Sequence, residues 1–305
     1  MIILLTGATG AVGSIALQRL VSLGHEVIAI VRPREGRPPL PQLSRVQWVP
    51  ADLRDDELIG RCGRECEAVL HTAAEHEGDM RGADASFILA VTEALRGSGK
   101  PFISTSASVV YGDTGLVPRT EEGHVNEPLP SRAWRLEHDA QVERLVVQGI
   151  RSAIMRPPTI YGYGGGIVRA RIALAARNRR ALYIDDGSKL FSTIHVDDLI
   201  DAYIAVLSNP KAQGVYNVAS RETLSRLRFA ELVANLLAHG VRAESVALSA
   251  ALAEQGELAA IGSINQVLSA NRIEDELNWH ASRPTLENEL RFGSYAGLNF
   301  KDLNQ

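Results

Sequence analysis

The chain has 305 residues, of which 45% are hydrophobic and 22% charged, and its formal net charge is −4. This composition is typical of a soluble globular protein, and the acidic balance argues against a nucleic-acid-binding surface. No apolar stretch is long enough for a transmembrane helix. Because an apolar segment begins at residue 2, we expect no signal peptide, a cytoplasmic protein, and reduced thiols at Cys62 and Cys66 rather than a metal site.

The first predicted elements are a short apolar strand, a glycine-rich turn and an amphipathic helix. The strand spans Ile2 to Leu5, and apolar residues from Val12 onward recur at helical spacing. Glycines in such a turn let the backbone bend tightly, approach a pyrophosphate and pack the helix against the strand. The helix N-terminus then presents N–H groups to the phosphates. This order predicts a dinucleotide site with the loop residues Gly7, Thr9, Gly10, Ala11, Val12 and Gly13.

The second predicted strand, His25 to Val31, indicates which dinucleotide is bound. An acidic residue at the end of this strand binds the free ribose of NAD, whereas an arginine accommodates the 2′-phosphate of NADP. Here Val31 is followed by Arg32, with Arg34 close by and no acidic residue before Glu35. The pattern favours NADP(H) over NAD(H), with a solvated arginine at a strand end as the alternative reading.

Four further apolar strands alternate with helices. They are predicted at 46–49, 68–70, 102–106 and 153–155, with a long loop at 113–131 and a helix at about 132–147. This alternation predicts an α/β fold, a Rossmann-type doubly wound parallel sheet. Pro157 and Pro158 are expected to end ladder pairing, and a smaller helix-rich lobe follows. We assign 1–155, with 188–220 returning to it, to dinucleotide binding, and 156–187 and 221–305 to the substrate.

Several motifs together resemble the extended and atypical short-chain dehydrogenase/reductases, the NAD-dependent epimerase/dehydratase group. Besides the glycine loop, the motifs are Asp52-Leu53, Ala73-Ala74, Val110-Tyr111-Gly112-Asp113, Arg156-Pro157, Ile194 to Leu199 and Val215 to Val218. The resemblance covers nearly the whole chain. It implies that Asp52 contacts the adenine amino group, that Leu53 packs on the ring, and that Ala73 and Ala74 lie along the nicotinamide-side ribose and phosphates. Thr72, Thr105 and Pro157 complete the predicted cofactor site.

The chain departs from this family at the catalytic pair. The family uses Tyr-x-x-x-Lys on the helix after the fifth strand, where the lysine lowers the pKa of the tyrosine so that it exchanges a proton with the substrate. In the best register, Trp134 and His138 occupy these places, and a shift by one residue gives Arg135 and Asp139. Neither register provides a phenol, and an indole does not donate a proton at neutral pH.

Two further departures concern the substrate. Ala107 stands where many relatives carry a substrate-binding hydroxyl, so we prefer Ser106 as that hydroxyl and take Ser108 second, with turn-capping hydroxyls as the alternative. The arginine with which sugar-nucleotide members bind a diphosphate is replaced within Phe191-Ser192-Thr193, which argues against such substrates. Arg169 or Arg171 on a neighbouring helix is the alternative source of a phosphate-binding arginine, but we expect solvated side chains at both positions.

The leading hypothesis is an NADPH-dependent ketoreductase of a small, mostly apolar ketone, in which Ser106 hydrogen-bonds the developing alkoxide. The candidate proton sources are Tyr161, Tyr163, His124, a water, or an acidic hydroxyl of the substrate, such as the phenol of an aromatic polyketide-like ketone. The alternatives are a nucleotide-sugar epimerase or dehydratase using NAD(P), and a non-catalytic NADP(H)-binding sensor. We expect no nucleic-acid or membrane partner, and a monomer or homodimer. Tyr111, His71, His195, Asp197 and Asp198 are expected to be structural.

Overall fold

The computed structural model describes residues 1–33, 40–73, 79–123, 125, 128–238 and 240–298. The chain divides into two compact units. The first comprises 1–106, 134–156 and 200–216, and the second comprises 107–133, 157–199 and 217–305. The division differs from the predicted domains in two respects. The segment 107–133 belongs to the second unit, and the chain returns to the first unit over 200–216 rather than over 188–220.

The first unit is built on a seven-stranded sheet. Its strands are β1 (Ile2–Thr6), β2 (Glu26–Val31), β3 (Val46–Pro50), β4 (Ala68–His71), β5 (Pro101–Thr105), β6 (Arg151–Arg156) and β10 (Gly214–Asn217). The strand order is β10-β6-β5-β4-β1-β2-β3, and β1 to β6 pair in parallel. The carboxyl ends of these six strands therefore meet at one edge of the sheet, where open α/β sheets bind their ligands.

Apolar sequence and capping residues explain these elements. In β4 all four residues are buried, as in a parallel strand covered on both faces. The helices of this unit are α1 (Gly13–Ser22), α2 (Asp56–Glu65), α3 (Met80–Leu95) and α4 (Trp134–Glu143). Asp55 caps α2 by accepting a hydrogen bond from the Leu58 N–H, and Asp79 caps α3 by accepting one from the Gly82 N–H. In the part of the chain that the structure describes, no helix is long and apolar enough to cross a bilayer.

The predicted helix at about 132–147 is shorter than expected. Helix α4 ends at Glu143 and continues as a 3-10 helix over Arg144–Gln148, which Gly149 terminates in the left-handed conformation with φ of +73°. Glycine adopts this conformation without the steric cost that a Cβ brings.

The second unit contains short strands and most of the remaining helices. Its strands are β7 (Thr159–Tyr161), β8 (Arg180–Ile184), β9 (Leu190–His195), β11 (Thr223–Ser225) and β12 (Arg242–Val246). Its helices are α5 (Gly166–Asn178), α7 (Arg226–Leu237), α8 (Leu248–Gln255), α9 (Glu257–Gly262), α10 (Asn271–Leu277) and α11 (Leu286–Phe292). Helix α6 (Val196–Ser208) begins in this unit and ends in the first. The strands form two small sheets, β11-β9-β7 and β12-β8.

The prolines end ladder pairing in the large sheet, as expected. Strand β6 ends at Arg156, directly before Pro157 and Pro158, and the next strand, β7, pairs in parallel with β9 in a different sheet. The sequence of 249–260 predicts one continuous helix, but the structure has two, α8 and α9, broken at Gly256, which has φ of +54°. Strands β7 and β11 were not predicted, because three-residue ladders carry too little periodicity.

Candidate cofactor and substrate sites

The glycine-rich turn between β1 and α1 is closed so tightly that two positions exclude any side chain. Gly7 has φ of +71°, in the left-handed region, and a Cβ there would lie 2.8 Å from the Cα of Ala73. A Cβ at Gly13 would lie 2.1 Å from the carbonyl oxygen of Gly7 and 2.8 Å from Thr72 Oγ1. The Thr72 hydroxyl donates to the carbonyl of Thr6 at 2.7 Å, which fixes this contact between the turn and the end of β4.

Gly10 is less closely surrounded than Gly7 and Gly13. A Cβ at this position would come no closer than 3.2 Å to the Gly7 carbonyl, and Thr9, Gly10 and Ala11 are exposed. Val12 precedes α1 without any side-chain acceptor for the first helical N–H groups. The turn is thus an open cradle beside a helix N-terminus, a geometry that fits a pyrophosphate.

The carboxyl ends of β2 and β3 bring Arg32 and Asp52 into electrostatic contact. Asp52 Oδ1 accepts hydrogen bonds from the backbone N–H of Arg54 at 2.9 Å and from its Nη1 at 3.1 Å. The Arg54 N–H lowers the pKa of Asp52, and the charges of Arg54 and Arg32 contribute. Arg32 is exposed directly after β2, and Leu53 packs against the apolar core of this unit. The structure therefore gathers these predicted residues at the sheet edge that carries the glycine turn.

The end of β4 is fixed by polar contacts. The Thr6 hydroxyl lies 2.7 Å from His71 Nδ1 and accepts a hydrogen bond from the Ala73 N–H at 3.2 Å. The His71 ring is buried and stacks on Phe87 with centroids 4.4 Å apart. His71 is thus a packed polar residue, as expected. Ala74, the neighbouring predicted residue, lies outside the described residues.

A buried cluster in the first unit was missed by the sequence analysis. Asp84 on α3 lies 3.5 Å from His71 Nε2 and 3.9 Å from His138 Nδ1. Although burial alone would raise the pKa of Asp84, its contacts with His138 and His71 and the charge of Arg135 hold it well below the ordinary value. His138, which takes the lysine place in one of the two registers considered, also meets the Trp134 ring edge-on at 4.9 Å. No periodic pattern relates β4, α3 and α4, so this cluster could not be found from sequence.

The preferred catalytic hydroxyl, Ser106, is engaged inside the first unit. It is 7% exposed, and its Oγ donates to Asp139 Oδ2 at 3.1 Å. Asp139 Oδ2 also accepts hydrogen bonds from Arg156 Nε at 2.9 Å and from Arg156 Nη2 at 2.7 Å. Because a carboxylate only accepts, the Ser106 proton is directed at Asp139 and not at a substrate alkoxide. Thr105, the predicted cofactor residue before it, shares a 2.8 Å hydrogen bond with the Tyr203 hydroxyl.

The two hydroxyls proposed within the second unit are also engaged. Ser108 donates to Gln266 Oε1 at 2.8 Å, and its N–H donates to the carbonyl of Pro157 at 2.9 Å. Tyr161 is 2% exposed and donates to the carbonyl of Pro284 at 2.7 Å. Burial raises the pKa of the Tyr161 phenol far above its ordinary value, and the charge of Glu222 adds to this. Tyr161 therefore does not fit the proton-donor role that we assigned to it.

Tyr163, another candidate proton source, is exposed but already hydrogen-bonded. Tyr163 is 59% exposed and donates to both carboxylate oxygens of Asp197, at 3.1 and 3.0 Å. Burial, followed by the hydrogen bond to Asp197, raises the pKa of Tyr163. A phenol with a raised pKa that already donates to a carboxylate is a poor acid. His124 lies outside the described residues.

Four residues expected to be structural have internal partners in the second unit. Tyr111 is fully buried and donates to Asn217 Oδ1 at 2.9 Å. His195 accepts at Nδ1 from the Asp197 N–H, and the first turn of α6 carries Asp197 and Asp198. Asp198 accepts hydrogen bonds from the Ser282 and Arg283 N–H groups. These contacts account for the residues without a catalytic role.

Arg171 is not the solvated helix residue that we expected. It is only partly exposed, and its Nη1 and Nη2 donate to Gln255 Oε1 at 3.1 Å and to the Leu258 carbonyl at 3.0 Å. Arg169 is also partly buried, and its Nη1 lies 3.4 Å from the Gly164 carbonyl. Sequence reasoning failed here because the helix α5 has charged residues on more than one face.

The similarity to known proteins agrees with this architecture. Residues 3–219 match the NAD dependent epimerase/dehydratase family. The chain belongs to this family. Its characterized relatives include a ketoreductase and UDP-glucose 4-epimerases.

Relatives of this family member include both uncharacterized and characterized proteins. An uncharacterized protein of Schizosaccharomyces pombe is 27% identical over 301 residues, covering 97% of this chain and 100% of the relative. The 4-hydroxy-2-methyl-3-oxo-4-farnesyl-3,4-dihydroquinoline-1-oxide ketoreductase of Stigmatella aurantiaca is 27% identical over 255 residues, covering 78% and 73%. The fold is similar to that of a dTDP-glucose 4,6-dehydratase of Streptomyces venezuelae, solved with bound NAD. That similarity has a TM-score of 0.80 at 19% identity, and covers 97% of this chain and 96% of the other.

Proposed function

We propose that this protein is an NADPH-dependent ketoreductase that reduces a small ketone. We also propose that an acidic hydroxyl of the ketone itself supplies the proton. The observation that carries the proposal is the glycine cradle, in which Gly7 and Gly13 leave no space for a Cβ while Gly10 faces solvent. When bound, a reduced nicotinamide supplies a hydride to a carbonyl carbon. In this chain, Gly10 and the N-terminus of α1 would hold the pyrophosphate.

Arg32 supports the choice of NADPH. It lies at the end of β2 with no acidic residue beside it in the sequence, and its charge acts on Asp52 at the end of β3. A guanidinium at this place forms charge-assisted hydrogen bonds to a 2′-phosphate, whereas NAD offers it only a hydroxyl. Asp52 and Leu53 would hold the adenine, which both cofactors share.

The engaged hydroxyls support a proton from the substrate. Ser106, Ser108 and Tyr161 each donate to an acceptor inside the protein, and α4 carries Trp134 in the family's tyrosine place. An acidic hydroxyl adjacent to the ketone, such as the phenol of an aromatic polyketide-like compound, would protonate the alkoxide as it forms. The similarity to a ketoreductase of a quinoline compound from Stigmatella aurantiaca supports an aromatic ketone as the substrate class.

The test compares two substrates that differ only in the acidic proton. Purified protein is mixed with NADPH and either a 2-hydroxyaryl ketone or its O-methyl ether, and NADPH absorbance is followed. We expect the free phenol to be reduced at least about tenfold faster, since general acid catalysis contributes about 10²–10⁴-fold. Equal rates for both ketones would show that the protein supplies the proton.

Two other outcomes decide between the remaining functions. Tight NADPH binding with no oxidation by any ketone would support a non-catalytic sensor. Conversion of a nucleotide sugar without net consumption of NADPH would support an epimerase or dehydratase. Either result would end the ketoreductase proposal.

A further inference from the structure

A cavity within the second unit has three arginines in its lining and no acidic side chain among the described residues that line it. It has a volume of about 70 Å³, well above the roughly 10–15 Å³ that one water needs. Helices α5 and α7 and strand β8 form its walls. Three of the lining residues are arginines, namely Arg171, Arg180 and Arg226. Of these three, Arg180 alone has a carboxylate partner among the described residues, namely Glu244 at 3.3 Å.

Arg226 is held in place by neutral groups. Its guanidinium lies over the Phe191 ring, with Cζ 4.2 Å from the ring centroid, and its Nη2 donates to the Ile261 carbonyl at 3.1 Å. Its Nε is buried and has no hydrogen-bond partner. Stacking of this kind fixes the plane of a guanidinium and leaves its N–H edge available for a planar or tetrahedral anion.

Arg171 adds a second positive charge to the same cavity. Its two Nη atoms donate to Gln255 Oε1 and to the Leu258 carbonyl, both of which are neutral acceptors. Among the described residues, neither Arg171 nor Arg226 forms a salt bridge. Burial, followed by the like charge of Arg171, lowers the pKa of Arg226 to about 9, so the Arg226 guanidinium remains charged at neutral pH.

Two like charges at a partly buried site without a carboxylate are unfavourable until an anion binds. Removing a charge from water has a cost of several kcal/mol unless a counter-charge is present. The remaining walls are largely apolar, with Leu174, Phe229 and Val233 among them. The cavity therefore suits a ligand with one anionic group attached to an apolar or aromatic body.

We propose that Arg171 and Arg226 bind the carboxylate, sulfate or phosphate group of an amphipathic anion, and that the ketone substrate is such an anion. The binding site follows from the cavity alone, and only its assignment to the substrate rests on the proposed function. Arg226 provides the oriented edge and the unpartnered Nε, and Arg171 provides the second charge.

Binding is tested without cofactor by calorimetric titration. The probes are 2-naphthoate and its neutral amide, 2-naphthamide. We expect naphthoate to bind at least about tenfold more tightly, and Arg226→Met and Arg171→Met each to remove that preference. Arg177→Met is the matched control, because Arg177 is an exposed arginine on α5, the helix that carries Arg171. This variant should change the naphthoate affinity less than about twofold. Where Arg226→Met fails to fold, Arg226→Lys should weaken naphthoate binding, since lysine lacks the planar fork.

Three results would overturn this site. Equal affinity for naphthoate and naphthamide would show that the site does not select an anionic group. Unchanged naphthoate affinity in both methionine variants would show that the two arginines do not bind it. Binding of uridine diphosphate without any binding of naphthoate would replace the amphipathic anion with a nucleotide.

A kinetic pair separates this inference from the proposed function. A 2-hydroxyaryl ketone that carries a carboxylate is compared with its carboxamide. We expect Arg226→Met to raise KM for the carboxylate at least about tenfold, with kcat within about twofold and the carboxamide unaffected. Naphthoate binding without NADPH oxidation by either ketone would end the proposed function and leave the site intact. Equal KM values for the two ketones in the unchanged protein would end the assignment of the anion to the substrate.

Discussion

The Asp139 carboxylate and the Arg156 guanidinium form a buried ion pair that determines the state of Ser106. Asp139 is 5% exposed and Arg156 is 6% exposed. Arg156 lies at the end of β6 and donates hydrogen bonds from both Nε and Nη2 to Asp139 Oδ2. The same Oδ2 atom also accepts the hydrogen bond from Ser106 Oγ. The residue that we expected to face a substrate is therefore one of the donors to a structural carboxylate.

Replacing Asp139 by asparagine should strongly destabilise the protein. The variant leaves the Arg156 charge buried and unpaired, which costs about 3–5 kcal/mol of unfolding free energy. Urea denaturation followed by circular dichroism measures the loss. The double variant Asp139→Leu/Arg156→Met removes both charges and should lose less than Asp139→Asn. Ser106→Ala should cost only about 1 kcal/mol. A double variant less stable than Asp139→Asn would show that the unpaired Arg156 charge does not cause the loss of stability in Asp139→Asn.

Alanine at Gly13 and at Gly10 should have different effects. At Gly13 the new Cβ meets the Gly7 carbonyl at 2.1 Å, so the turn must open, and the protein should lose both thermal stability and NADPH binding. At Gly10 the nearest atom is 3.2 Å away, so the melting temperature should change by only a few degrees. Binding should still weaken about tenfold, because the methyl group occupies the place of the pyrophosphate. NADPH fluorescence and thermal unfolding measure the two effects. A Gly10→Ala variant with unchanged NADPH affinity would contradict the cradle.

The parts that local sequence determines were predictable. The order of β1, the glycine turn and α1 follows from apolar runs and glycine spacing, and the parallel sheet follows from strands that alternate with helices. The signal for each strand or helix lies within its own short stretch of consecutive residues. The helix break at Gly256 was missed because a single glycine is compatible with either a break or a continuous helix.

The chemistry of the side chains was not predictable in the same way. Ser106 and Tyr161 carry hydroxyls at suitable places in the chain, but their acceptors, Asp139 and the Pro284 carbonyl, come from distant segments. The same holds for Arg171 and Arg226, which lie on different helices and share one cavity. Hydrogen-bond satisfaction of a buried group depends on tertiary contacts, for which a single sequence contains no periodic signal.

Asp84 should make the stability of the first unit depend on acidic pH. Its pKa is lowered in the folded protein, so the ionised form stabilises the fold above the ordinary value of 3.8, and this contribution is lost as the pH falls below it. Asp84→Asn should lower the unfolding free energy by about 1–3 kcal/mol at pH 7. The difference from the unchanged protein should shrink on acidification below about pH 4. Urea titrations at several pH values measure this. Asp56→Asn, at an exposed acid, is the control. A difference that stays constant down to pH 3 would show that the charge of Asp84 is not involved.

Arg32 should determine the preference for NADPH over NADH. Arg32→Gln removes a charge-assisted hydrogen bond to the 2′-phosphate, which contributes about 1.5–3 kcal/mol, so KM for NADPH should rise at least about tenfold. KM for NADH should change less than about twofold, because NADH has no phosphate at this place. Asp52→Asn is the matched comparison. Asp52 would contact the adenine, which both cofactors contain, so this variant should weaken both to a similar extent. Steady-state kinetics with both cofactors measure the four values. If Arg32→Gln raised both KM values equally, Arg32 would contact the part that NADPH and NADH share. Arg32 would then not be the source of a preference for NADPH.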